Sequence, residues 1–379
     1  MKSPLIATLT SVLILMFGNL SSKAQSCGTI PSPETYKYTP YDQIAEDRNN
    51  KIRLPLVFHV IQPIGSSFNL SLDDFQEKIK TLNRAFASTN MEFFLCELPK
   101  YTQGEKTHYR QTSYKLGQAY NKSGKINVYL VEELIDNEND NTYCGLGSLP
   151  TPFNIGTRRI VLVKKCFYTS SLFTHEMGHF LGLYHTHNEW ADSELVDGSN
   201  CEIAGDYICD TPADPNLLYL RYRTTTSTCI YTDSLKDLNG DLYMPDITNY
   251  MSYAVTKCRN TFSQQQIEIM NYHAATSFNF LVNCPEPNFS YSYIAPNVVN
   301  GEGFNLYLKN GKMNMPLKIS VWSLIGQQMK VVESYKQQEE KLLFVEVANL
   351  PSGFYTLSVE YEQLNKFKEI ETFKFYKSR

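Results

Sequence analysis

The sequence lacks the features that mark nucleic-acid-binding and repeat proteins. Its 35 lysine and arginine residues are outnumbered by 39 aspartate and glutamate residues, which gives a formal net charge of −4. This balance offers no basic surface for a phosphate backbone, so nucleic acid is not an expected partner. No low-complexity tract and no fixed-period repeat is visible in the 379 residues. Hydrophobic residues (42%) and charged residues (20%) occur in the proportions of globular domains.

Long apolar runs are absent after the first 25 residues, and no later segment is apolar enough to span a bilayer. The N-terminal run from Leu5 to Phe17 follows a short basic start and precedes the small-residue pattern Ser22-Lys23-Ala24. These features predict a secretory signal peptide, residues 1–24, and therefore a secreted or cell-surface protein exported through the periplasm. A membrane anchor is the alternative, but several hydroxyl and glycine residues interrupt the run.

Cysteine is absent from the last 95 residues, since none of the nine cysteines follows Cys284. An exported chain meets an oxidising compartment, where cysteines form disulfides more readily than thiolate metal sites. Nine is an odd number, so at least one cysteine is unpaired or pairs outside the chain.

The chain divides by composition into five parts. Apolar, β-branched runs at 52–61, 125–134 and 158–166 predict strands, the last an exposed edge strand that could pair with an extended peptide. Ser71 begins an amphipathic helix with a capping-box pattern, and Ser263 begins another helix. The last segment consists of short strands separated by turn residues. We therefore expect a signal peptide (1–24), a pro-segment or arm (25–50), a main α/β domain (51–284), a linker (285–303) and a small all-β domain (304–379).

Three of the seven histidines lie within the stretch THEMGHFLGLYH at 174–185. His175 and His179 are four residues apart on one face of a predicted helix, so both imidazoles can reach one ion. Gly182 allows the chain to leave the helix and return His185 toward the same point. Three neutral imidazoles leave the fourth position of a zinc ion open for water, as in catalytic sites. Glu176, beside the first ligand, is placed to take a proton from that water.

This pattern resembles the extended zinc signature of the metzincin metalloproteases. The stretches GDYICDTPADP (205–215) and NYMSYAVTKCRNTFSQQQ (249–266) resemble the pappalysin, or cytophagalysin, branch of that group. The resemblance covers roughly residues 50–284. It implies an α/β (α+β) upper subdomain, an irregular lower subdomain, and hydrolysis of peptide bonds in protein or peptide substrates with Zn²⁺.

The resemblance also implies roles for residues near the motif. It makes Met251, in a methionine turn, the hydrophobic floor of the site. It makes Tyr253 a hydrogen-bond donor to the oxyanion that develops during hydrolysis. A packed aromatic is the alternative for Tyr253. Thr256 and Lys257 stand where relatives that prefer basic substrates carry acids, so the sequence does not predict such a preference.

The resemblance implies a disulfide between Cys229 and Cys258, and Cys201 and Cys209 bracket a tight loop that a disulfide would close. Cys144 with Cys166 is a further candidate pair, although one sequence does not fix connectivity. The family often binds Ca²⁺. Candidate oxygen ligands here are the acids at 197, 206, 210 and 214 and the DLNGD stretch at 237–241, with ordinary polar turns as the alternative.

Cys27 has two possible roles. Its thiolate could occupy the open zinc position and keep a zymogen latent, as in some metzincins. The alternative is an ordinary disulfide, for example to Cys96 or Cys284. His187, close to the motif, is expected to be a bystander.

The C-terminal segment resembles the sorting domain of type IX secretion substrates. Gly326 and the turn Leu350-Pro351-x-Gly353-x-Tyr355 carry the match. The resemblance implies a β-sandwich recognised by the type IX secretion machinery, with membrane contact only through surface anchoring after export. A substrate-binding or adhesive module is the alternative.

The sequence therefore predicts a secreted zinc endopeptidase of the pappalysin type, made as a precursor. Two competing classes are a cell-surface binding protein with a vestigial zinc domain and a zinc hydrolase acting on something other than peptides. The intact set of Glu176 and three histidines argues against the first, and an open edge strand would argue against the second.

Overall fold

The computed structural model of the chain describes residues 26–29, 51–63, 70–136, 138, 140–151, 154, 156–187, 192–217, 224–225, 229–276, 293–295, 298–299, 302–307, 316–335, 342–362 and 368–378. The expected signal peptide, most of the expected arm at 25–50 and most of the linker lie outside the described residues.

Strands and helices alternate in the first part of the chain. The strands are β1 (Ser26–Cys27), β2 (Ile52–Gln62), β3 (Met91–Leu95), β4 (Lys100–Gln103), β5 (Thr107–Tyr109), β6 (Ile126–Val131), β7 (Glu133–Ile135), β8 (Tyr143–Gly147), β9 (Ile160–Val163), β10 (Thr224–Thr225) and β11 (Ile230–Tyr231). The helices are α1 (Leu72–Ala85), α2 (Tyr114–Tyr120), α3 (Leu172–Phe180) and α4 (Gln264–Thr276).

A seven-stranded sheet forms the centre of this part. Its strands run in the order β1-β8-β9-β6-β2-β3, and β4 pairs with the second half of β2. Strands β9, β6, β2, β3 and β4 all run parallel to one another, whereas β8 is antiparallel to β9. Every residue of β6 and β9 is buried, as the continuous apolar runs predict for strands covered on both faces. The mixed α/β class is therefore as expected.

Helix α1 begins at the predicted cap. The Ser71 hydroxyl accepts the Asp74 amide at 3.1 Å, and the Asp74 carboxylate accepts the Ser71 amide at 2.6 Å. This reciprocal pair satisfies two amides that the first turn of a helix would otherwise leave open. Phe75 on the buried face contacts Phe58 of β2, with ring centroids 4.8 Å apart. The helix thus covers the sheet next to α3.

The expectation that 158–166 forms an exposed edge strand was wrong. Strand β9 is fully buried and lies between β6 and β8. The charged residues that suggested exposure flank the strand: the Arg158 guanidinium donates to the Thr151 carbonyl at 2.9 Å, and Lys164 begins a 3₁₀ turn. The strand outside β9 is β8, whose sequence YCGLG is short and glycine-rich and so carries a weak strand signal.

The segment beyond α3 is irregular, as expected. Within the described parts of 192–261, β10 and β11 are the only strands, and each has two residues. The disulfides Cys201–Cys209 and Cys229–Cys258 brace the described part of this region, and Cys144–Cys166 precedes it. Regular structure resumes at α4, where the Ser263 hydroxyl accepts the Gln266 amide at 3.1 Å.

Among the described residues from 293 onward, every regular element is a strand. They are β12 (Tyr293–Ala295), β13 (Val298–Val299), β14 (Gly303–Tyr307), β15 (Pro316–Ser323), β16 (Gln328–Tyr335), β17 (Leu342–Glu346), β18 (Gly353–Glu362) and β19 (Lys368–Lys377). One sheet has the order β13-β19-β18-β15-β16 and the other β12-β14-β17. Residues of both sheets, among them Phe304, Val345 and Leu357, share one hydrophobic core. This arrangement has the two layers of a small sandwich.

None of the helices within the described residues combines the length and the apolar character needed to cross a membrane.

Candidate metal centre and active site

Helix α3 carries the first two candidate ligands. All nine of its residues are buried, and its position after β9 places it against the glycine-rich strand β8. The helix ends where Gly182 adopts φ +101°, a conformation that favours glycine. A side chain at this position would also overlap the His273 ring of α4. The turn at Gly182 therefore reverses the chain and brings His185 back beside α3.

The three imidazoles converge through their Nε2 atoms. The His179 Nε2 lies 3.2 Å from that of His175 and 2.9 Å from that of His185. The opposite nitrogens are bound elsewhere: His175 Nδ1 donates to the Tyr250 carbonyl and His179 Nδ1 to the Leu183 carbonyl, both at 2.7 Å. Because a carbonyl only accepts, each Nδ1 carries the proton and each Nε2 presents a lone pair.

The protonation of this group suits a metal. Burial lowers the pKa of His179 to about 4 and lowers the pKa values of His175 and His185 well below their ordinary value. The imidazoles are therefore neutral near pH 7, which is the form that binds a metal. A tetrahedral zinc ion at its usual distance from nitrogen holds ligand nitrogens about 3.3 Å apart, close to the spacings seen here. The donor set fits zinc.

Cys27 completes this group. Its sulfur and one ring nitrogen from each histidine all lie within 4.8 Å of one another, and all four residues are buried. The disulfide alternative was wrong, because Cys27 is a free cysteine, whereas Cys96 is disulfide-bonded. The thiol reaches the site because β1 pairs in parallel with β8 and sets Cys27 opposite Gly145. Burial, followed by the charge of Glu176, raises the pKa of the Cys27 thiol.

Glu176 points from α3 toward β8 and the N-terminal segment. Its Oε2 accepts from the Cys27 thiol at 3.3 Å and lies 3.4 Å from the Thr29 hydroxyl oxygen. The carboxyl fits against Gly145, where an added side chain would meet its Oε1 at 2.5 Å. Burial raises the pKa of Glu176 to about 8, which is suitable for a group that takes up and returns a proton near neutral pH.

Met251 packs against helix α3, and Tyr253 packs against His185. Met251 is fully buried, and its sulfur packs so closely on Gly178 of α3 that no side chain fits there. The Tyr253 ring lies 4.4 Å from the His185 ring, and its hydroxyl donates to the Cys27 carbonyl at 3.4 Å. The site thus has an apolar floor and a phenol donor directed toward the N-terminal segment.

Arg259 and Thr29 escaped the sequence analysis, and His187, expected to be a bystander, lies beside the site. His187 is buried, stacks on His185 with centroids 5.0 Å apart, and lies 4.4 Å from Tyr253, but it is not in the converging metal-binding group. Arg259 donates to the Ser252 carbonyl at 3.0 Å and lies behind the methionine turn. Thr29 binds β8 and Glu176. Of the two missed residues, Arg259 and Thr29, only Thr29 had a sequence signal. It lies two residues after Cys27, the candidate latency cysteine, and alternate residues of a strand share a face.

The acids of the candidate calcium segment differ in their surroundings, and one of those described here, Glu194, was not among the candidates of the sequence analysis. The Asp237 carboxylate accepts amides of its own turn and that of Val196, which is the behaviour of a polar turn residue. Glu194 and Asp206 are different, because each is buried and has one carboxylate oxygen without a hydrogen-bond partner. Burial, with a smaller contribution from neighbouring carboxylates, raises the pKa of Asp206 well above its ordinary value and raises that of Glu194 to about 7.

Comparisons with known proteins agree with this geometry. Residues 113–275 match the Peptidase M43 family model, described as pregnancy-associated plasma protein-A. An extracellular metalloprotease of Arthroderma benhamiae is 27% identical over 234 residues, 56% of this chain and 69% of its own. Extracellular metalloprotease 1 of Coccidioides posadasii is 25% identical over 290 residues, 67% of this chain and 92% of its own.

A solved archaemetzincin from Methanopyrus kandleri aligns with 61% of this chain and 99% of its own at 10% identity, with a TM-score of 0.32. So low a TM-score carries no weight for the fold. The family match and the fungal relatives do carry weight, because they cover the segment that holds the three histidines. Together they support a pappalysin-type metalloprotease, and the chain is accordingly a metalloendopeptidase.

Proposed function

We propose that the chain is a secreted zinc endopeptidase, made as a latent precursor, in which Glu176 is the general base. The observation that carries this proposal is the convergence of three neutral imidazole Nε2 atoms next to one buried carboxyl. His175, His179 and His185 would hold the ion. Bound zinc lowers the pKa of a water ligand and polarises the carbonyl to be attacked.

The remaining roles belong to the chain itself. Glu176 accepts a proton at its carboxylate and returns it to the leaving amine, a task for which its pKa of about 8 is suited. The Tyr253 hydroxyl donates to the oxygen on which negative charge develops. Met251 supports the histidines from below and keeps water out of the floor.

Strand β8 is the proposed binding edge for extended peptides. In the latent form that edge is covered by β1, and the Gly28 amide donates to the Gly145 carbonyl at 2.8 Å. When the N-terminal segment leaves, the main-chain groups of β8 become available to a substrate. Recognition would then rest largely on backbone hydrogen bonds, as in other β-augmentation complexes.

Cleavage of casein tests the function. The chain without residues 1–24, trimmed in the 30–50 region, is compared with Glu176→Ala, each with and without a chelator. Loss of cleavage with chelator, restored by zinc only in the parent, supports the proposal. No cleavage by any trimmed form would favour the alternative of a binding protein with a vestigial zinc domain.

Latency is proposed to depend on the Cys27 thiolate as a fourth ligand to the metal, supported by the position of its sulfur among the three histidines. In the precursor, Cys27→Ser should raise cleavage above that of the parent before trimming. A variant as silent as the parent would show that the thiol is not required for the lock.

Secretion is proposed from the signal-peptide pattern of residues 1–24 and from the relatives, which are named as extracellular. For residues 304–379 we propose a type IX sorting domain. Gly326 turns at φ +79°, and the Tyr355 hydroxyl donates to the Pro351 carbonyl at 2.8 Å, which gives the resembling turn a defined shape. A reporter carrying a signal peptide and residues 285–379 should reach the surface of a type IX host, and a Gly353→Asp reporter should be retained. Equal export of both would contradict a role for this turn.

A calcium site is proposed at Glu194 and Asp206. Two buried carboxylate oxygens without partners are costly, and a hard cation would satisfy both. Calcium should therefore raise the melting temperature of the parent and leave that of a Glu194→Gln/Asp206→Asn variant unchanged. Equal shifts in both would contradict this site.

A further inference from the structure

We propose that Thr29 is a second lock on the latent active site, holding Glu176 and the binding edge of β8 through its hydroxyl whether or not the Cys27 thiol is present. This inference rests on the proposed function and adds a residue to its regulation.

The Thr29 hydroxyl is bound to β8 in both directions. Its Oγ1 donates to the Gly147 carbonyl at 3.0 Å and accepts the Gly147 amide at 3.0 Å. One side chain thus replaces the donor and the acceptor that a partner strand would supply at this position. Thr29 is 7% exposed, so water does not compete for these bonds.

The same oxygen reaches the catalytic side of the strand. It lies 3.4 Å from Glu176 Oε2 and 3.1 Å from the Cys27 sulfur, and the Thr29 amide donates to that sulfur at 3.3 Å. Thr29 therefore contacts the edge that would bind substrate, the proposed base and the thiol. Removing the sulfur leaves the first two contacts intact.

Gly28 fixes the register that brings Thr29 to Gly147. A side chain at position 28 would approach the Tyr143 ring at 3.1 Å and the Gly145 carbonyl at 3.3 Å, closer than ordinary packing allows. The main chain consequently lies flat against β8, where the Gly28 amide binds Gly145. Cys27, Gly28 and Thr29 thus contact, in turn, the histidine group, Gly145 of β8, and Gly147 with Glu176. In addition, the Cys27 carbonyl accepts a hydrogen bond from the Tyr253 hydroxyl.

The test compares precursors that differ at positions 27 and 29. Cys27→Ser, Thr29→Val and the double variant are made beside Cys27→Ser/Thr29→Ser. Valine keeps the shape of threonine without the hydroxyl, whereas serine keeps the hydroxyl. Each precursor is assayed on fluorescent casein before and after limited trypsin cleavage in the 30–50 region, which contains Lys37 and Arg48. The ratio of the two rates measures the unlocked fraction.

We expect the double variant to have an unlocked fraction about tenfold above that of Cys27→Ser, the usual effect of losing one buried hydrogen-bonding group. Cys27→Ser/Thr29→Ser should match Cys27→Ser. After trimming, all forms should cleave at the parent rate, because Thr29 has been removed with the segment. That equality shows that the valine variants are folded.

A second readout does not depend on activity. In the metal-free precursor, iodoacetamide modification of Cys27 is followed by peptide mapping. Thr29→Val should be modified about tenfold faster than the parent, because the segment opens more often, and Thr29→Ser should behave as the parent does.

The failures are distinguishable. If the trimmed enzymes are active and the valine variants match their threonine counterparts in both readouts, the second lock is refuted and the proposed protease function stands. Trimmed enzymes that are all inactive would refute the proposed function, and the modification rates would still decide whether Thr29 holds the segment. Threonine and valine precursors modified at the same rate would overturn the inference in that case.

Discussion

Substitution of Gly147 by alanine tests how closely strand β8, the proposed binding edge, packs on helix α3. A methyl group at this position would overlap the Glu176 carbonyl oxygen and lie 2.9 Å from the His179 Cβ. Both atoms are fixed by helix α3 and cannot rotate away, whereas carbon atoms in contact prefer about 3.5–4 Å. Strand and helix must therefore separate by about 1 Å. Overpacking of this kind costs roughly 1–3 kcal/mol of unfolding free energy.

The assay is denaturant unfolding of full-length chains in a Glu176→Ala background, which prevents self-cleavage. We expect Gly147→Ala to lower the midpoint without changing the slope. Gly156→Ala is the matched control, because a side chain there meets nothing within 4 Å, and its unfolding free energy should stay within about 0.5 kcal/mol of the parent. In the active background, displacement of His179 by about 1 Å should reduce casein cleavage about 100-fold.

Gly145→Ala separates packing from chemistry. Here the added methyl would meet the Glu176 side chain, at 2.5 Å from Oε1 and 2.8 Å from Cγ, and a side chain can rotate away. In the Glu176→Ala background, which lacks these atoms, its stability should fall less than that of Gly147→Ala, yet in the active background cleavage should drop because the base has moved. If Gly147→Ala and Gly156→Ala have the same midpoint and cleave at the same rate, β8 does not lie against α3 and the reasoning fails.

Three further outcomes follow from the site. Glu176→Gln should lose about 100-fold or more in cleavage while metal analysis shows one zinc bound as in the parent; equal loss of zinc would point to a structural role instead. Arg259→Gln should bind zinc about tenfold more weakly than the parent in competition with a chelator, because Arg259 reaches the Tyr250 carbonyl that orients His175. Arg259→Lys should have an intermediate affinity. An unchanged zinc affinity in Arg259→Gln would contradict this role. Burial raises the pKa of Asp214 to about 6, so the folded protein holds this proton more tightly than the unfolded chain and loses stability as pH rises. Urea unfolding without calcium, carried out at about pH 5 and about pH 7, measures this effect. Between the two pH values the unfolding free energy of the parent should fall by about 1 kcal/mol more than that of Asp214→Asn. The same pH dependence in both proteins would refute the raised pKa of Asp214.

The convergence of the three histidines was accessible from the sequence because its geometry is local. The spacing of His175 and His179 sets both on one helix face, and a positive φ at Gly182 is enough to return His185. Eleven residues contain the whole arrangement, so no long-range pairing had to be guessed. The same holds for the cap of α1, where Ser71 and Asp74 satisfy each other within four residues.

The binding edge was not accessible in the same way. Strand β8 contains two glycines in five residues, which weakens any strand signal, and its place at the edge depends on pairing with a strand that follows after an irregular loop. Arginines 158 and 159 made β9 look exposed, although both guanidinium groups are buried and donate hydrogen bonds within the protein. The contact between Cys27 and Glu176 joins residues 149 positions apart, a separation that only the assembled sheet determines.

The two glycines of β8 also determine which substitutions can make the precursor active before trimming. Gly145 and Gly147 alternate along the strand, so the face without side chains is the one against which Glu176 and His179 pack. The same two residues supply the carbonyl and amide groups that hold Gly28 and Thr29. A substitution in β8 that loosened the N-terminal segment would therefore also displace the base or the metal-binding helix. Variants that are active before trimming should arise only in the segment itself, and a screen of random precursors for early casein cleavage should recover changes at Cys27, Gly28 and Thr29 but none at Gly145 or Gly147.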